Sequence, residues 1–195
     1  FCLLPFSGKA QLHPFYTIQG RDTTCQIFFY SPSPEDGLHI AYMDSHQNWM
    51  DLGQILTCDY GPWGSGKKMY TPFVAKASDG SWRALWALDS NSPAFAVAHS
   101  EDLLSWRPQD YPIVREKGVT SPVAYQMDNG SWDVYFKTSS GKRYVHASDD
   151  FRTFTEDLLE AEADDILWQQ DTAVIGGKIW NGNTFEIPVM QLDYV

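Results

Sequence analysis

Ala98-His99-Ser100-Glu101-Asp102-Leu103-Leu104-Ser105-Trp106 returns about fifty residues later as Ala147-Ser148-Asp149-Asp150-Phe151-Arg152-Thr153-Phe154. A looser copy, Ala41-Tyr42-Met43-Asp44, is followed by Trp49. Each copy is a short alternating run, an acidic turn and an aromatic. Self-similarity at such a period marks a propeller, a solenoid or an array, in which stacked supersecondary units build one continuous core.

Outward from the first copy, a whole unit spans 70–108. Tyr70-Thr71-Pro72-Phe73-Val74-Ala75-Lys76 reads as a first strand begun through a proline. Asp79-Gly80 is a favoured hairpin pair, and 82–88 is the second strand. A third strand covers 94–99, and Trp106-Arg107-Pro108 begins a short fourth, with proline suited to an edge. The next unit keeps the order: 120–126, a turn at Asp128-Asn129-Gly130-Ser131, 132–137, a turn at Ser139-Ser140-Gly141, then 142–147. Trp82 and Trp132 stand fifty residues apart, as do Pro72 and Pro122.

The first unit is degraded: 13–18 begins at His13-Pro14, followed by 25–30, 38–42 and 49–52. A last partial unit holds a strand at 171–180, a turn at Asn181-Gly182 and a return strand at 184–189. The stretch 156–166 is rich in helix formers but short and acidic, and reads as an inter-unit loop with at most one helical turn. The expected fold is all-β: a propeller of four-stranded antiparallel blades. Its single domain, 1–195, divides into approximate blades 9–56, 68–113, 118–157 and 166–195, with a strand at 1–6 that ring closure would pair with the C-terminal blade. A two-sheet sandwich is the rival fold. The matched strand order across a fifty-residue period favours the propeller.

Of the 195 residues, 43% are hydrophobic, 15% aromatic and 20% charged, a composition that folds rather than stays disordered. Aromatics favour strands and offer the flat faces on which sugar rings stack. A net charge of −11 repels phosphate backbones, which argues against nucleic acid as a partner. No apolar run is long enough to span a bilayer. Cys2, Cys25 and Cys58 are odd in number and widely spaced, so neither a zinc site nor a disulfide framework is indicated. Asn129-Gly130-Ser131 fits a glycosylation sequon, and a hairpin turn accounts for it equally. Phe1-Cys2-Leu3-Leu4-Pro5-Phe6 reads as a strand rather than as a signal peptide. The chain is therefore expected to be a fragment of a longer parent, whose other domains would be partners.

A proline in each first strand, the Asp-Gly-x-Trp hairpin, and a third strand closing on Ser100-x-Asp102-Leu103-x-x-Trp106 resemble the five-bladed propeller glycoside hydrolases of families 43, 32 and 68. The likeness runs from about Leu12 to Val189. The sialidase acidic box fits less well, because Leu104 stands at its glycine and Trp106 comes one position early. Three full units and a partial fourth fall short of five blades. The resemblance implies an oligo- or polysaccharide ligand, an extracellular or periplasmic setting, and hydrolysis of a terminal arabinose or xylose if the chain is active. It implies no cofactor, although relatives of this kind sometimes hold calcium in the channel; the sequence itself shows no metal cluster.

Glycoside hydrolysis needs one carboxylic acid to protonate the leaving oxygen and a second carboxylate opposite it. In the family these sit at the starts of innermost strands. Here those positions hold His13, Thr71 and Ser121, none of them a carboxylate. The fifty-residue period puts the fourth start at Asp171, and Glu186-Ile187-Pro188 resembles the Glu-x-Pro that carries the family's general acid. Asp171 and Glu186 are thus the candidate carboxylate pair, with His13 a candidate base. Against each stands a plain alternative: Asp171 as a capping residue, Glu186 as a solvent-facing strand position, His13 as a hydrogen-bonded structural group. Asp44, Asp102 and Asp149 recur in each blade and read as turn residues. Cys58 to Lys68 is a glycine-rich loop before a first strand, where Trp63 and Tyr70 would stack on a sugar while Asp59, Thr71 and Ser121 contact hydroxyls. A scaffold or glycan-binding propeller without catalysis is the alternative function.

Overall fold

The computed structural model describes residues 24–59, 68–109, 111, 113–162 and 170–188. His13, Trp63, Cys2 and the strands expected at 1–6 and 13–18 lie outside them. The described residues form strands only, in three antiparallel sheets. No helix among them is long and apolar enough to cross a membrane.

Blade 2 is β4 (Tyr70–Lys76), β5 (Trp82–Ala87), β6 (Phe95–Ser100) and β7 (Trp106–Pro108), paired in that order. Blade 3 is β8 (Thr120–Gln126), β9 (Trp132–Thr138), β10 (Gly141–Ala147) and β11 (Leu159–Glu160). The stretch expected as a loop with a helical turn thus supplies a two-residue outer strand, and no helix forms in its described part. Blade 1 contains β1 (Thr24–Tyr30), β2 (Leu38–Met43) and β3 (Trp49–Leu56).

The C-terminal segment departs from expectation. β12 (Asp171–Ile175) and β13 (Lys178–Pro188) form a hairpin that joins blade 1, giving a five-stranded sheet ordered β12-β13-β1-β2-β3. It is not a separate fourth blade. The turn falls at Gly176-Gly177, both at positive φ (59° and 77°), the geometry of a two-residue hairpin. Asn181-Gly182, read as the turn, lies inside β13. There the glycine serves close approach: a Cβ on Gly182 would stand 1.9 Å from the Phe29 carbonyl oxygen on β1.

β13 takes the innermost place in blade 1 that β4 takes in blade 2. Its 182–188 segment pairs antiparallel with β1, Gly182 opposite Tyr30 and Pro188 opposite Thr24. The remainder of the hairpin covers the outward face of the blade, where Ala173, Ile175 and Trp180 pack on Phe28, Tyr30 and Ala41.

Blade 2 lies between the other two, which is why β5 is buried along its whole length. Trp82, Ala84 and Trp86 face blade 1, in a cluster with Ile27, Phe29 and Ile40. Leu85 faces blade 3, in a cluster with Val134, Phe136 and Val145. Strands covered on both faces lose the apolar–polar alternation of a half-solvated sheet.

The repeated acidic turn has one mechanism. The Ser100 hydroxyl oxygen accepts from the Leu103 amide (2.9 Å), and Asp102 accepts from the amides of Leu104 and Ser105 (2.9 and 2.7 Å). Leu103 is thereby held at φ 73° with its side chain fully buried. In blade 3, Ser148 and Asp150 accept from Arg152 and Thr153, and Phe151 stands at φ 59°. Asp150, not Asp149, is therefore the counterpart of Asp102. In blade 1, Asp44 accepts from the amides of His46 and Asn48, and Gln47 is at φ 63°.

Candidate functional site

The innermost strands β4 and β8 start side by side. The Ser121 amide donates to the Thr71 hydroxyl at 3.1 Å. Both residues hold positive φ, 45° and 49°, and both sit on bulges, between Tyr70 and Phe73 and between Thr120 and Val123. A left-handed conformation costs a non-glycine residue about 1–2 kcal/mol, more readily borne by small polar residues than by a β-branched threonine. Each bulge re-aims its side chain relative to a regular strand. The following prolines, Pro72 and Pro122, keep these residues out of the right-handed helical region. The same strain thus stands at equivalent places in two blades. We call this end of the blades the mouth.

Tyr70 is half-buried beside Thr71 and opposite Ala87. Asp59 is exposed at the mouth end of blade 1, where its carbonyl accepts from the Thr57 hydroxyl. The flanks of the glycine-rich loop meet on one carbonyl, since the Cys58 thiol and the Met69 amide both donate to Pro34 O. Lys68 and Glu35 form an exposed ion pair at 2.7 Å on the same flank. Asp59, Tyr70, Thr71 and Ser121 are thus all placed at the mouth end.

The two candidate carboxylates both lie along β13. Asp171, the first residue of β12, pairs with Gly182 in the middle of β13, and its Oδ2 accepts from the Thr184 amide at 2.9 Å. Glu186 lies four residues farther along β13, opposite Gln26, and accepts from the Thr24 hydroxyl at 2.6 Å. Because the Asp171 carboxylate binds the Thr184 amide, it lies only two strand residues, roughly 7 Å, from the backbone of Glu186. Asn183, midway, accepts at its Oδ1 from the Val74 amide (3.0 Å), which fixes β13 alongside β4. Glu186 therefore sits deeper than Val74, toward the end of the blades opposite the mouth.

Sequence reading missed one mouth-end carboxylate. Glu116, just before β8, accepts from the hydroxyls of Thr138 (2.7 Å) and Ser140, with Arg143 Nε at 3.5 Å. These hydroxyls, Ser140 first, hold its carboxyl below the usual glutamate range, so it is an anion rather than a proton donor. The signal lay in Glu116-Lys117-Gly118 preceding a first strand. No group of three His, Cys, Asp or Glu among the described residues is arranged to hold a metal ion.

No family model and no curated protein matches the chain. Solved structures do. A native arabinanase of Bacillus subtilis matches at TM-score 0.57 and 14% identity, over 73% of this chain and 54% of that one. An exo-β-1,3-galactanase of Phanerochaete chrysosporium with β-1,3-galactotriose matches at 0.56 and 10%, over 79% and 38%. A family 43 α-L-arabinofuranosidase of Clostridium thermocellum matches at 0.52 and 11%, over 83% and 60%. The chain spans between a third and three fifths of the length of such structures. Its fold is that of the family 43 propeller glycoside hydrolases.

Proposed function

We propose that this chain is a carbohydrate-active propeller segment that binds the end of an oligo- or polysaccharide, such as an arabinan, xylan or galactan, at the mouth where Thr71 and Ser121 meet. The observation that carries this reading is the strained hydroxyl pair, held side by side on two bulges at the blade starts. Hydroxyls both donate and accept, which suits sugar hydroxyls; Tyr70 adds an aromatic face and Asp59 an acceptor. The setting that suits such a ligand is extracellular or periplasmic.

Binding is favoured over bond cleavage by the same residues. Hydrolysis needs two carboxylates across one sugar ring, and Asp171 and Glu186 are each engaged already, by the Thr184 amide and the Thr24 hydroxyl. A hydrolytic reading keeps one support, the Asp171 carboxylate lying on the Thr184 amide, two residues from Glu186 on β13. The test is titration with arabino-, xylo- and β-1,3-galacto-oligosaccharides, beside turnover of aryl arabinofuranosides and xylosides by the native chain and by the Asp171→Ala and Glu186→Ala variants. Binding without turnover supports the proposal. Turnover abolished in both variants would replace it with a hydrolase, and no binding of any saccharide would end it.

A further inference from the structure

An asparagine followed by glycine is open to attack by its own backbone, because no Cβ shields the next amide nitrogen. The chain has two such steps, Asn129-Gly130 and Asn181-Gly182, and the fold treats them oppositely. Asn129-Gly130 is the tip of the β8–β9 hairpin. Asn129 is exposed, Gly130 stands at φ 85°, and a Cβ on that glycine would meet no described atom within 4 Å. A turn bond from the Gly130 amide to the Met127 carbonyl, 2.9 Å, holds the nitrogen. Asn181-Gly182 lies inside β13, with Gly182 opposite Tyr30 on β1 and Asp171 on β12. There the backbone is paired on both sides, and the Phe29 carbonyl packs against the glycine.

The Asn129 side-chain carbonyl is already polarised. Its Oδ1 accepts from the Ser131 amide at 3.0 Å and from the Ser131 hydroxyl at 2.6 Å. Both donors draw electron density from Cγ, the atom that a nucleophile must reach. Blade 2 carries Asp79-Gly80-Ser81 at the matching tip, where Asp79 Oδ1 accepts from the Ser81 amide and hydroxyl at 2.8 and 2.6 Å. An aspartate thus fits this turn with the same bonds.

We propose that Asn129 is a site of spontaneous modification by water, which turns it into aspartate or into an isoaspartyl linkage. The Gly130 amide nitrogen, its proton lost to solvent base, bonds to Asn129 Cγ. The Cγ–Nδ2 bond breaks and ammonia leaves. Water then adds to one carbonyl of the five-membered imide. Addition at Cγ frees the side chain as aspartate; addition at the Asn129 main-chain carbonyl leaves the chain running through Cγ as isoaspartate. No electrons are exchanged with an outside reagent. The isoaspartyl product adds a carbon to the backbone at the tip and displaces the Gly130 carbonyl. That carbonyl accepts from Gln126 Nε2 at 3.1 Å, while Gln126 Oε1 accepts from the Ser78 amide of the blade 2 tip at 2.7 Å. The modification therefore loosens a tie between blades 2 and 3 at the end away from the mouth.

The folded protein is held in mildly alkaline heavy-oxygen water, its peptides are mapped by mass, and the isomer is read with an isoaspartyl methyltransferase. Asn129 is expected to convert at least about tenfold faster than Asn181, since an exposed tip opens locally at far lower cost than a doubly paired strand. Both aspartate and isoaspartate should appear, and in denaturant the two sites should converge. Asn129→Gln, whose amide is one carbon farther from the Gly130 nitrogen, should lose the modification. Asn129→Asp should keep the native denaturation midpoint, and the isoaspartyl fraction should fall below it. Equal rates at the two sites in the folded chain, or conversion of Asn129 only in denaturant, overturns the proposal. So does aspartate without isoaspartate, the mark of direct amide hydrolysis.

Discussion

Ser121 and Thr71, fifty residues apart in the chain, touch at the axis through a 3.1 Å hydrogen bond from amide to hydroxyl. Each is the left-handed residue before the proline of its innermost strand. The bond joins blade 2 to blade 3 at the starts of β4 and β8. Thr71→Val keeps the shape and removes the acceptor. It is expected to cost about 1 kcal/mol of stability, whereas Thr71→Ser should stay near the native value. Ser121→Gly should relieve its backbone strain, raising the denaturation midpoint slightly while weakening saccharide binding. Urea denaturation and titration of the three variants check this; a Thr71→Val protein as stable as Thr71→Ser contradicts it.

Asn183 tests the placement of β13. Its side-chain oxygen is the acceptor for the Val74 amide, and Val74 is only 1% exposed. Asn183→Ala leaves that amide buried without this partner, at about 1–3 kcal/mol. Asn183→Asp keeps the acceptor and should lose less. If both variants match the native protein in denaturant, β13 does not lie where the structure puts it.

The sequence showed blades 2 and 3 clearly because their turns are local. Asp79-Gly80 and Asn129-Gly130 sit at tight hairpins where the acceptor side chains of Asp79 and Asn129 bind the amides of Ser81 and Ser131. Such turns need no distant contact to form. The C-terminal hairpin was misread because its glycines answer to tertiary structure: Gly182 is demanded by β1, a strand more than 150 residues away in the chain. The same limit applies to the site. Thr71 and Ser121 were legible from the period, but the bond from the Thr184 amide to Asp171 depends on which strand β13 pairs with.

Acid should weaken the fold, and the sign follows from the turns. Asp79 is held below the usual aspartate range by the Ser81 hydroxyl and then its amide, and Asp150 by the Ser148 hydroxyl and then the Arg152 amide. Groups with a depressed folded pKa add stability above their unfolded pKa, near about 4, and lose it as pH falls through the folded value. Both carboxylates are well exposed, so each effect is small. The denaturation midpoint should be flat around neutrality and decline below about pH 4. Asp79→Asn should shrink that decline; a steeper decline in this variant contradicts the assignment.

Burial pushes the Cys25 thiol up to about 11. The thiolate is the reactive form, so Cys25 should alkylate slowly at neutral pH in the folded chain and rapidly in denaturant. Cys58, also raised by burial and bonded to the Pro34 carbonyl, should behave likewise. Peptide mapping after timed iodoacetamide treatment distinguishes the sites, and rapid labelling of Cys25 without denaturant contradicts its burial.

Arg83 clamps the outer part of the same blade pair that Thr71 and Ser121 join at the axis. Its side chain is almost fully buried, 4% exposed. It donates to the Ser81 hydroxyl at 2.9 Å and to the Asp149 carbonyl at 3.2 Å, and lies 5.8 Å from the centre of the Phe151 ring. Burial lowers its pKa, and Asp79, Glu101, Asp149 and Asp150 oppose that shift. A guanidinium stays charged throughout, so removing it loses packing and three partners together. Arg83→Ala should cost about 3 kcal/mol. Arg83→Met restores much of the packed volume without the hydrogen bonds and should cost less. Arg83→Lys keeps the charge but lacks the planar fork, so it should fall between the native protein and Arg83→Ala. Chemical denaturation of the three variants measures the order, and an Arg83→Ala protein within about 0.5 kcal/mol of native stability would show that the acidic turn of blade 3 needs no anchor on blade 2.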